Sequence, residues 1–257
     1  MYNFVEQYNA TQVNAGHVEL FWLGQAGFMF KTASGKAVAI DPYLSDFVLR
    51  TLKDPGFKRI NPPLFAPGEI DLDILLISHE HGDHFDGDSI ESFMKSGKTQ
   101  VYANVTAYEE MQKMGLDMSR IHKLEKGVTV DLGEFKLTPM DCDHGELAPE
   151  ALGFMLDFGF TRIYYAGDTA LTYERLSVPM SIRPEVAILP INGAFGNLDG
   201  IMAAEYAGRL GCKICVPCHF WTFPLHHGDP QQIIDALPEK APDCALKLLR
   251  QGESFTI

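Results

Sequence analysis

Positive charge is in short supply in this 257-residue chain, where 21 Lys and Arg stand against 34 Asp and Glu for a formal net charge of −13. A nucleic-acid partner needs a basic patch, and the few cations here are scattered, so that class is set aside. Cysteine is sparse and odd in number, with residues at 142, 212, 215, 218 and 244. That count argues against a disulfide framework and points to reduced thiols. Long apolar runs are missing as well: "DILLI" and "VAILPI" are far too short to cross a bilayer, so no membrane role is expected. The opening "MYNFVEQYNATQVNAG" has neither the basic stretch nor the apolar core of a secretory signal, and the expectation is a cytoplasmic protein. Repeats, linkers and low-complexity tracts are lacking too. The length suits a single domain over 1–257.

What is present alternates between β and α signals. "HVELFWLGQAGFMFKTASGKAVAIDPY" reads as consecutive strands with "ASGK" as a turn. "DLDILLIS" is a short buried strand, and "DGDSIESFMKSG" a helix with an aspartate N-cap and a glycine stop. "TQVYAN" and "VTAYEEMQKMG" repeat that strand-to-helix order, "HKLEKGVTVDLGEFKLTPMDCDHG" reads as a hairpin turning at "LGE", and "ALGFMLDFGFTRIYYAGDT" as another turning at "FGFT". The last third gives the strand "EVAILPI", the amphipathic helix "LDGIMAAEYAGRLG", the strand "KICVPCHF", the helix "DPQQIIDALPE" and a closing strand "GESFTI". Two facing sheets with helices outside follow from that order. A Pro-rich insertion at about 46–70 interrupts the pattern and is expected to line a site. Cys212, Cys215 and Cys218 sit three apart, but the segment is β-rich and alternation sends Cys212 and Cys215 to opposite faces, so they read as structural.

The densest chemistry is "ISHEHGDHFDG", residues 77–87, directly after a buried strand. In an extended segment His79 and His81 point the same way, and the turn into the helix swings Asp83 and His84 towards the same spot. Imidazole nitrogen with carboxylate oxygen suits Zn, Mn or Fe. Tight binding needs further ligands at other strand ends, and the sequence offers three: His144 in "DCDHGE", Asp168 in "YYAGDT" and His219 in "VPCHF". Any one alone reads as a cap or turn former. Asp141 and Asp143 stand beside His144 as alternative oxygen donors, a choice that favours Mn over Zn.

"HEHGDH", a later His, "GDT" and a final strand-end His, in that order over nearly the whole chain, resemble the metallo-β-lactamase superfamily of binuclear hydrolases. The resemblance implies an α/β fold of the four-layer αββα sandwich type and two divalent ions, Zn2+ or Mn2+. It implies that His79, His81 and His144 hold one ion, that Asp83, His84 and His219 hold the other, and that Asp168 bridges them with a hydroxide. Asp41, in "AIDPY", matches an acidic position near the metals, and Glu80 is expected to point away from them. Within the superfamily "WLGQAGF", "DPYLSD", "GFKRINPP", "LPINGAFGNLDG" and "PCHFWTFPLHHGDP" are similar to the L-ascorbate-6-phosphate lactonase-like branch.

That likeness implies a lactonase-like hydrolase opening a lactone or cyclic ester of a phosphorylated sugar acid, with Asp83 or Asp168 relaying a proton. Lys58 and Arg59 are the candidate phosphate anchors, Arg59 for its planar fork. Asn192 and Asn197 are candidate substrate hydrogen-bonders in a glycine-rich turn. His226 and His227 read as solvated, and Trp22 and Trp221 as core or pocket wall. Two alternatives stand beside this reading: a metal-dependent phosphodiesterase, which the acidic charge disfavours, and a non-catalytic metal-dependent sensor or binding protein, which the full ligand set disfavours. A β-lactam hydrolase is disfavoured by the missing export signal. The partner expected is a small-molecule substrate, and a homo-oligomer is compatible with the sequence.

Overall fold

A computed structural model describes residues 3–257. In chain order the elements are α1 (Phe4–Ala10), β1 (Val18–Gly24), β2 (Gly27–Thr32), β3 (Ala37–Ile40), α2 (Phe47–Leu52), β4 (Ile74–Ile77), α3 (Ile90–Met94), β5 (Gln100–Ala103), α4 (Val105–Lys113), β6 (Ile121–Lys123) and β7 (Val130–Asp131). They continue with β8 (Lys136–Asp141), β9 (Leu152–Asp157), β10 (Arg162–Tyr165), α5 (Ser177–Ile182), β11 (Val186–Pro190), α6 (Gly200–Leu210), β12 (Ile214–Cys218), α7 (Pro230–Lys240), β13 (Ala245–Leu246) and β14 (Ser254–Thr256). The chain divides into two compact units, one running to Lys123 and resuming at Leu249–Ile257, the other spanning Leu124–Leu248. Each unit carries one seven-stranded sheet, which makes this a mixed α/β protein with two sheets. No helix among the described residues is long and apolar enough to cross a membrane.

The first unit orders its strands β14-β1-β2-β3-β4-β5-β6. Pairing is antiparallel from β14 to β3 and parallel from β3 to β6. "ILLI" of β4 is buried at every position, as expected of a parallel strand covered on both faces. The core joins Phe21, Met29, Leu75 and Val101 of the strands to Phe93 and Met111 of the helices. The segment before β1, given no element from sequence, forms α1 because Phe4 and Tyr8 recur on one face and are buried. Phe4 stands edge-on to Phe21 at 5.8 Å and stacks on Phe65 at 5.3 Å. Phe65 belongs to the Pro-rich insertion, which is therefore tied into the core and also carries α2.

The second unit orders its strands β13-β12-β11-β10-β9-β8-β7, antiparallel from β7 to β10 and parallel from β10 to β13. "FGFT" makes the expected β9–β10 turn, with Phe158 N–H donating to Thr161 O at 2.9 Å. Asp199 caps α6 by accepting from Met202 N–H, and Gly211 ends it in the left-handed region. One expected hairpin is split: Val130–Asp131 pairs with β8, but Ile121–Lys123 joins the first sheet, parallel to β5. Turn chemistry located the "LGE" corner, whereas three residues with one buried side chain carry too little pattern to name their sheet.

Candidate metal centre

The loop after β4 is built on a buried carboxylate. Asp41 follows β3, whose parallel register pairs Ile40 with Leu76, and this sets Asp41 beside the start of the loop. Asp41 Oδ1 accepts from Ser78 N–H at 2.8 Å, and Oδ2 accepts from the Ser78 hydroxyl. His84 Nδ1 lies 2.7 Å from Asp41 Oδ2, with Asp41, Ser78 and His84 all fully buried. A carboxylate only accepts, so Nδ1 carries the proton and Nε2 of a neutral His84 presents its lone pair. His79 Nδ1 contacts Ser78 Oγ at 2.9 Å, and its Nε2 is 3.1 Å from His81 Nδ1, the two rings standing 73° apart. Donor atoms of Asp41, His79 and His84 all lie within 4.8 Å of one another.

Asp83 is held by a residue outside the "HEHGDH" motif. Gln25, in the β1–β2 turn at φ 50, donates from Nε2 to Asp83 Oδ2 at 2.7 Å, while its carbonyl takes the Trp22 indole N–H at 3.0 Å. A lone amide inside the apolar run "FWLGQAGFMF" was the available signal. His84 Nε2 is 3.9 Å from Asp83 Oδ2.

Beneath the loop, Asp86 accepts from Leu44 N–H at 2.9 Å, Ser45 Oγ at 2.5 Å and Ser89 Oγ at 2.6 Å, and so clamps "DPYLSD" to the metal motif. Burial pushes the Asp86 carboxyl up, against the opposing pull of those hydrogen bonds. Gly82 and Gly87 leave room for Phe47, since a Cβ at either would come within 3 Å of its ring. The expected aspartate N-cap of α3 is absent: the N-cap is Ser89, without a side-chain cap bond, because its hydroxyl is directed to Asp86. Glu80 turns to the start of α4, accepting from the Thr106 hydroxyl and, at 3.5 Å, from Asn104 Nδ2.

The second unit gathers its candidates from separate strand ends. His144 follows β8, Asp168 follows β10 and His219 follows β12. Asp168 Oδ1 lies 3.4 Å from His219 Nε2, and its Oδ2 lies 3.7 Å from His144 Nε2. Asn197, expected as a substrate contact, donates from Nδ2 to Asp168 Oδ2 at 2.8 Å. Leu198 N–H donates to Thr169 O at 2.9 Å and ties the loop carrying Asn197 to the segment carrying Asp168. The side-chain oxygens of Asn192 and Asn197 are buried and accept no hydrogen bond among the described residues. His226, read as solvated, is half-buried: its ring meets Phe195 edge-on at 5.0 Å and stands 5.8 Å from the ring of His219.

Asp141 and Asp143 are bound elsewhere. Arg175 donates from Nη2 to Asp141 Oδ1 at 3.0 Å and from Nη1 to Asp143 Oδ1 at 2.9 Å, while Lys126 takes Asp141 at 2.7 Å and the Thr172 hydroxyl takes Asp143. Burial alone would raise Asp141, but Arg175 and Lys126 outweigh it and hold the carboxyl low; for Asp143 the Thr172 bond is the main cause of the same shift. Lys58 is exposed. Arg59 donates from Nη1 to Tyr43 O at 2.8 Å and from Nε to Asn61 O at 3.2 Å, with its guanidinium over the Tyr43 ring. Burial draws the Arg59 group down, and it serves to fasten the insertion. Of the cysteines, Cys212 and Cys215 are buried, with Cys212 Sγ 3.5 Å from Cys244 Sγ.

The donor set fits a divalent cation. Ligands about 2.1 Å from a tetrahedral ion stand roughly 3.4 Å from one another, which is the range spanned by His79–His81 at 3.1 Å, Asp168–His219 at 3.4 Å and Asp168–His144 at 3.7 Å. Neutral imidazoles and carboxylates are the donors that Zn and Mn favour. The backbone carries a matching sign. Of the non-glycine residues with positive φ, Lys53 and Arg183 end helices; the others are Gln25, Asp41, Phe195, His219 and Trp221, all in or beside the donor clusters. Such strain collects where surrounding structure must hold a functional geometry.

Comparison with known proteins agrees with that chemistry. A family model described as a Beta-lactamase superfamily domain matches residues 19–219. A UPF0173 metal-dependent hydrolase of Rubrobacter xylanophilus is 30% identical over 256 residues, covering 93% of this chain and 97% of the relative. Another from Methanopyrus kandleri is 27% identical over 248 residues, covering 93% and 99%. Among solved structures, Igni18, described as a novel metallo hydrolase from the hyperthermophilic archaeon Ignicoccus hospitalis, aligns with a TM-score of 0.72 at 23% identity, over 94% of this chain and 98% of that one. The structural likeness bears on the fold.

Proposed function

We propose, because the chain belongs to the UPF0173 metal-dependent hydrolase family within the metallo-β-lactamase superfamily, that it hydrolyses a carboxylic ester bond of a small molecule, with lactones and other cyclic esters as the substrate class. His79, His81 and His144 would hold one divalent ion, Asp83, His84 and His219 a second, and Asp168 both. When bound, such an ion pair supplies Lewis acidity towards the carbonyl and acidifies water. The rest falls to the chain's own side chains. Asp41 keeps the Nδ1 proton of His84 in place and so aims Nε2. Asn197 restrains Asp168, whose two oxygens face different histidines. Asp83, steadied through Oδ2 by Gln25, moves the proton to the leaving oxygen. The carbonyl oxygens of Asn192 and Asn197 receive donors from the substrate, such as the hydroxyls of a sugar-acid lactone.

A phosphate on that substrate has little to hold it, since Arg59 is engaged by Tyr43 and Asn61, and the unphosphorylated lactone is the better reading. The observation that carries the proposal is the Asp168 carboxylate facing His144 with one oxygen and His219 with the other. The test strips the protein with chelator and titrates Zn2+ or Mn2+ back while assaying γ-butyrolactone, D-glucono-1,5-lactone and its 6-phosphate. Hydrolysis should vanish on stripping and return with metal on the unphosphorylated lactones. Lactone hydrolysis that survives complete removal of metal, or metal-loaded protein inert on the whole panel, would overturn it.

A further inference from the structure

The loops after β11 and β12 hold two large aromatic residues in a costly state. Phe195 has φ 53 and is 49% exposed; Trp221 has φ 54 and is 53% exposed. A bulky L-residue in the left-handed region is strained, and a ring left half exposed recovers only part of what full burial would return. The surroundings impose both conformations. Trp221 N–H donates to His227 O at 2.7 Å and closes the loop beyond His219. Gly193 N–H reaches Leu198 O at 2.9 Å and Asn197 N–H reaches Ala194 O at 3.0 Å, so Phe195 is pinned at the tip of a tight turn. The two loops pack together at Gly228, where a Cβ would strike Phe220 and the backbone of Ile191.

The same two loops carry Asn197 and His219 of the Asp168–His219 cluster. Phe195 meets His226 edge-on at 5.0 Å, and His226 lies 5.8 Å from His219, while Trp221 stands two residues beyond His219 with Phe220 against it at 5.5 Å. Leu225 adds a third exposed apolar side chain, 52% accessible, to the same loop. Residues 191–199 and 219–229 contain no Lys or Arg; besides His219, His226 and His227 their ionisable side chains are the helix caps Asp199 and Asp229. A phosphate or carboxylate tail would meet no guanidinium or ammonium group in these loops. An uncharged apolar or aromatic group would recover the hydration cost of the rings and stack on them.

We propose that Phe195, Trp221 and Leu225 form the specificity wall of the site, and that the ester or lactone hydrolysed carries a flat apolar, preferably aromatic, substituent packed against it. This rests on the hydrolase reading and names the substrate class within it.

The test uses metal-loaded protein and a pair of lactones of equal ring size, dihydrocoumarin with its fused benzene ring and δ-valerolactone without one. Wild type should favour dihydrocoumarin in kcat/KM. Phe195→Ala, Trp221→Ala and their double variant should each lower the ratio of the two kcat/KM values, by roughly tenfold for each ring and chiefly through KM. Phe160→Ala removes an exposed aromatic at the β9–β10 turn and should leave the ratio alone. Metal content and melting temperature identify any variant that has lost its fold, and for such a variant Trp221→Phe, which keeps a ring, should restore the preference. Binding of 3-phenylpropanoate against acetate, followed by calorimetry, reads the same wall without turnover. Tighter 3-phenylpropanoate binding that Trp221→Ala weakens supports the wall even if neither lactone is cleaved, an outcome that would sink the hydrolase reading alone. A ratio unchanged in both variants, a wild-type preference for D-glucono-1,5-lactone 6-phosphate, or variants that only turn an oligomer into a monomer would overturn the wall and, in the last case, assign the patch to contacts between copies of the chain.

Discussion

The two units share one plan and use it differently. Each sheet runs from an antiparallel half into a parallel half, and in each a carboxylate follows the strand at the change-over, Asp41 after β3 and Asp168 after β10. Loops beyond the carboxyl ends of parallel strands are where open α/β sheets place chemistry. In the first unit that plan is closed and heavily braced: Asp41 is fully buried and satisfied by Ser78 and His84, and the loop rests on Asp86 and Phe47. In the second, Asp168 is steadied by Asn197, the histidines arrive from distant strand ends, and the border is exposed aromatic. The first unit braces its candidate ligands from a buried carboxylate, and the second buries His144, Asp168 and His219 while leaving Phe195 and Trp221 of neighbouring loops exposed.

Asp168→Asn tests the second unit most severely. It keeps the size and removes the charge that faces both His144 and His219, and kcat should fall by roughly a thousandfold or more while the melting temperature stays close to wild type. Near-normal turnover in a correctly metallated variant would show that the second unit only binds substrate. Asp86→Ala tests the brace of the closed half. It leaves the Leu44 N–H and the hydroxyls of Ser45 and Ser89 without their acceptor in a buried place, a cost of about 3 kcal/mol read by denaturant unfolding. A loss below about 1 kcal/mol would mean that the motif holds itself.

Asp41→Asn is subtler. The amide can turn an N–H towards His84 and favour the wrong tautomer, so metal affinity should drop by roughly tenfold to a hundredfold, measured by competition with a chromogenic chelator. Affinity equal to wild type would remove Asp41 from the centre and leave it a purely structural residue.

How much of this was legible beforehand follows from where the information sits. His79, His81, Asp83 and His84 are contiguous, so strand-to-helix geometry alone converges them, and His144, Asp168 and His219 announced themselves by ending strands. Gln25, Asp86 and Asn197 were harder because each acts through a partner 58, 42 and 29 residues away, which no local pattern encodes. Asn197 stands in a glycine-rich turn that marks a binding loop, but its bond to Asp168 crosses to a different strand end. Phe195 and Trp221 could not be read as strained, because Gly carries the left-handed turns that a sequence advertises and aromatic residues there are exceptions. Arg59 looks available because charge in a loop suggests solvent, yet its fork is held by Tyr43 and Asn61, whereas Lys58 is exposed.

The smallest effect concerns the support of His144. Arg175 bonds Asp141 and Asp143 on the segment that leads into it, and both carboxyls are held low: at Asp141 Arg175 and Lys126 overcome the burial that would raise it, and at Asp143 Thr172 acts first and Arg175 with it. A carboxylate whose folded value is depressed adds stability above its unfolded value of about 3.9 and loses it as pH falls through the folded one. The three side chains are between 21% and 32% exposed, so the bridge is partly screened and Arg175→Ala should cost about 1 kcal/mol at neutral pH. Thermal melts of wild type and variant should therefore differ by a constant few degrees from pH 7 to about pH 5, begin to converge near the unfolded value of about 3.9, and meet only further into acid, where the depressed carboxyls of the folded protein protonate. Curves that stay parallel into acid would mean that Arg175 acts by packing and not by charge. If they converge and metal affinity weakens along with stability, the segment before His144 is a brace like Asp86, and the second unit is supported from beneath as the first is.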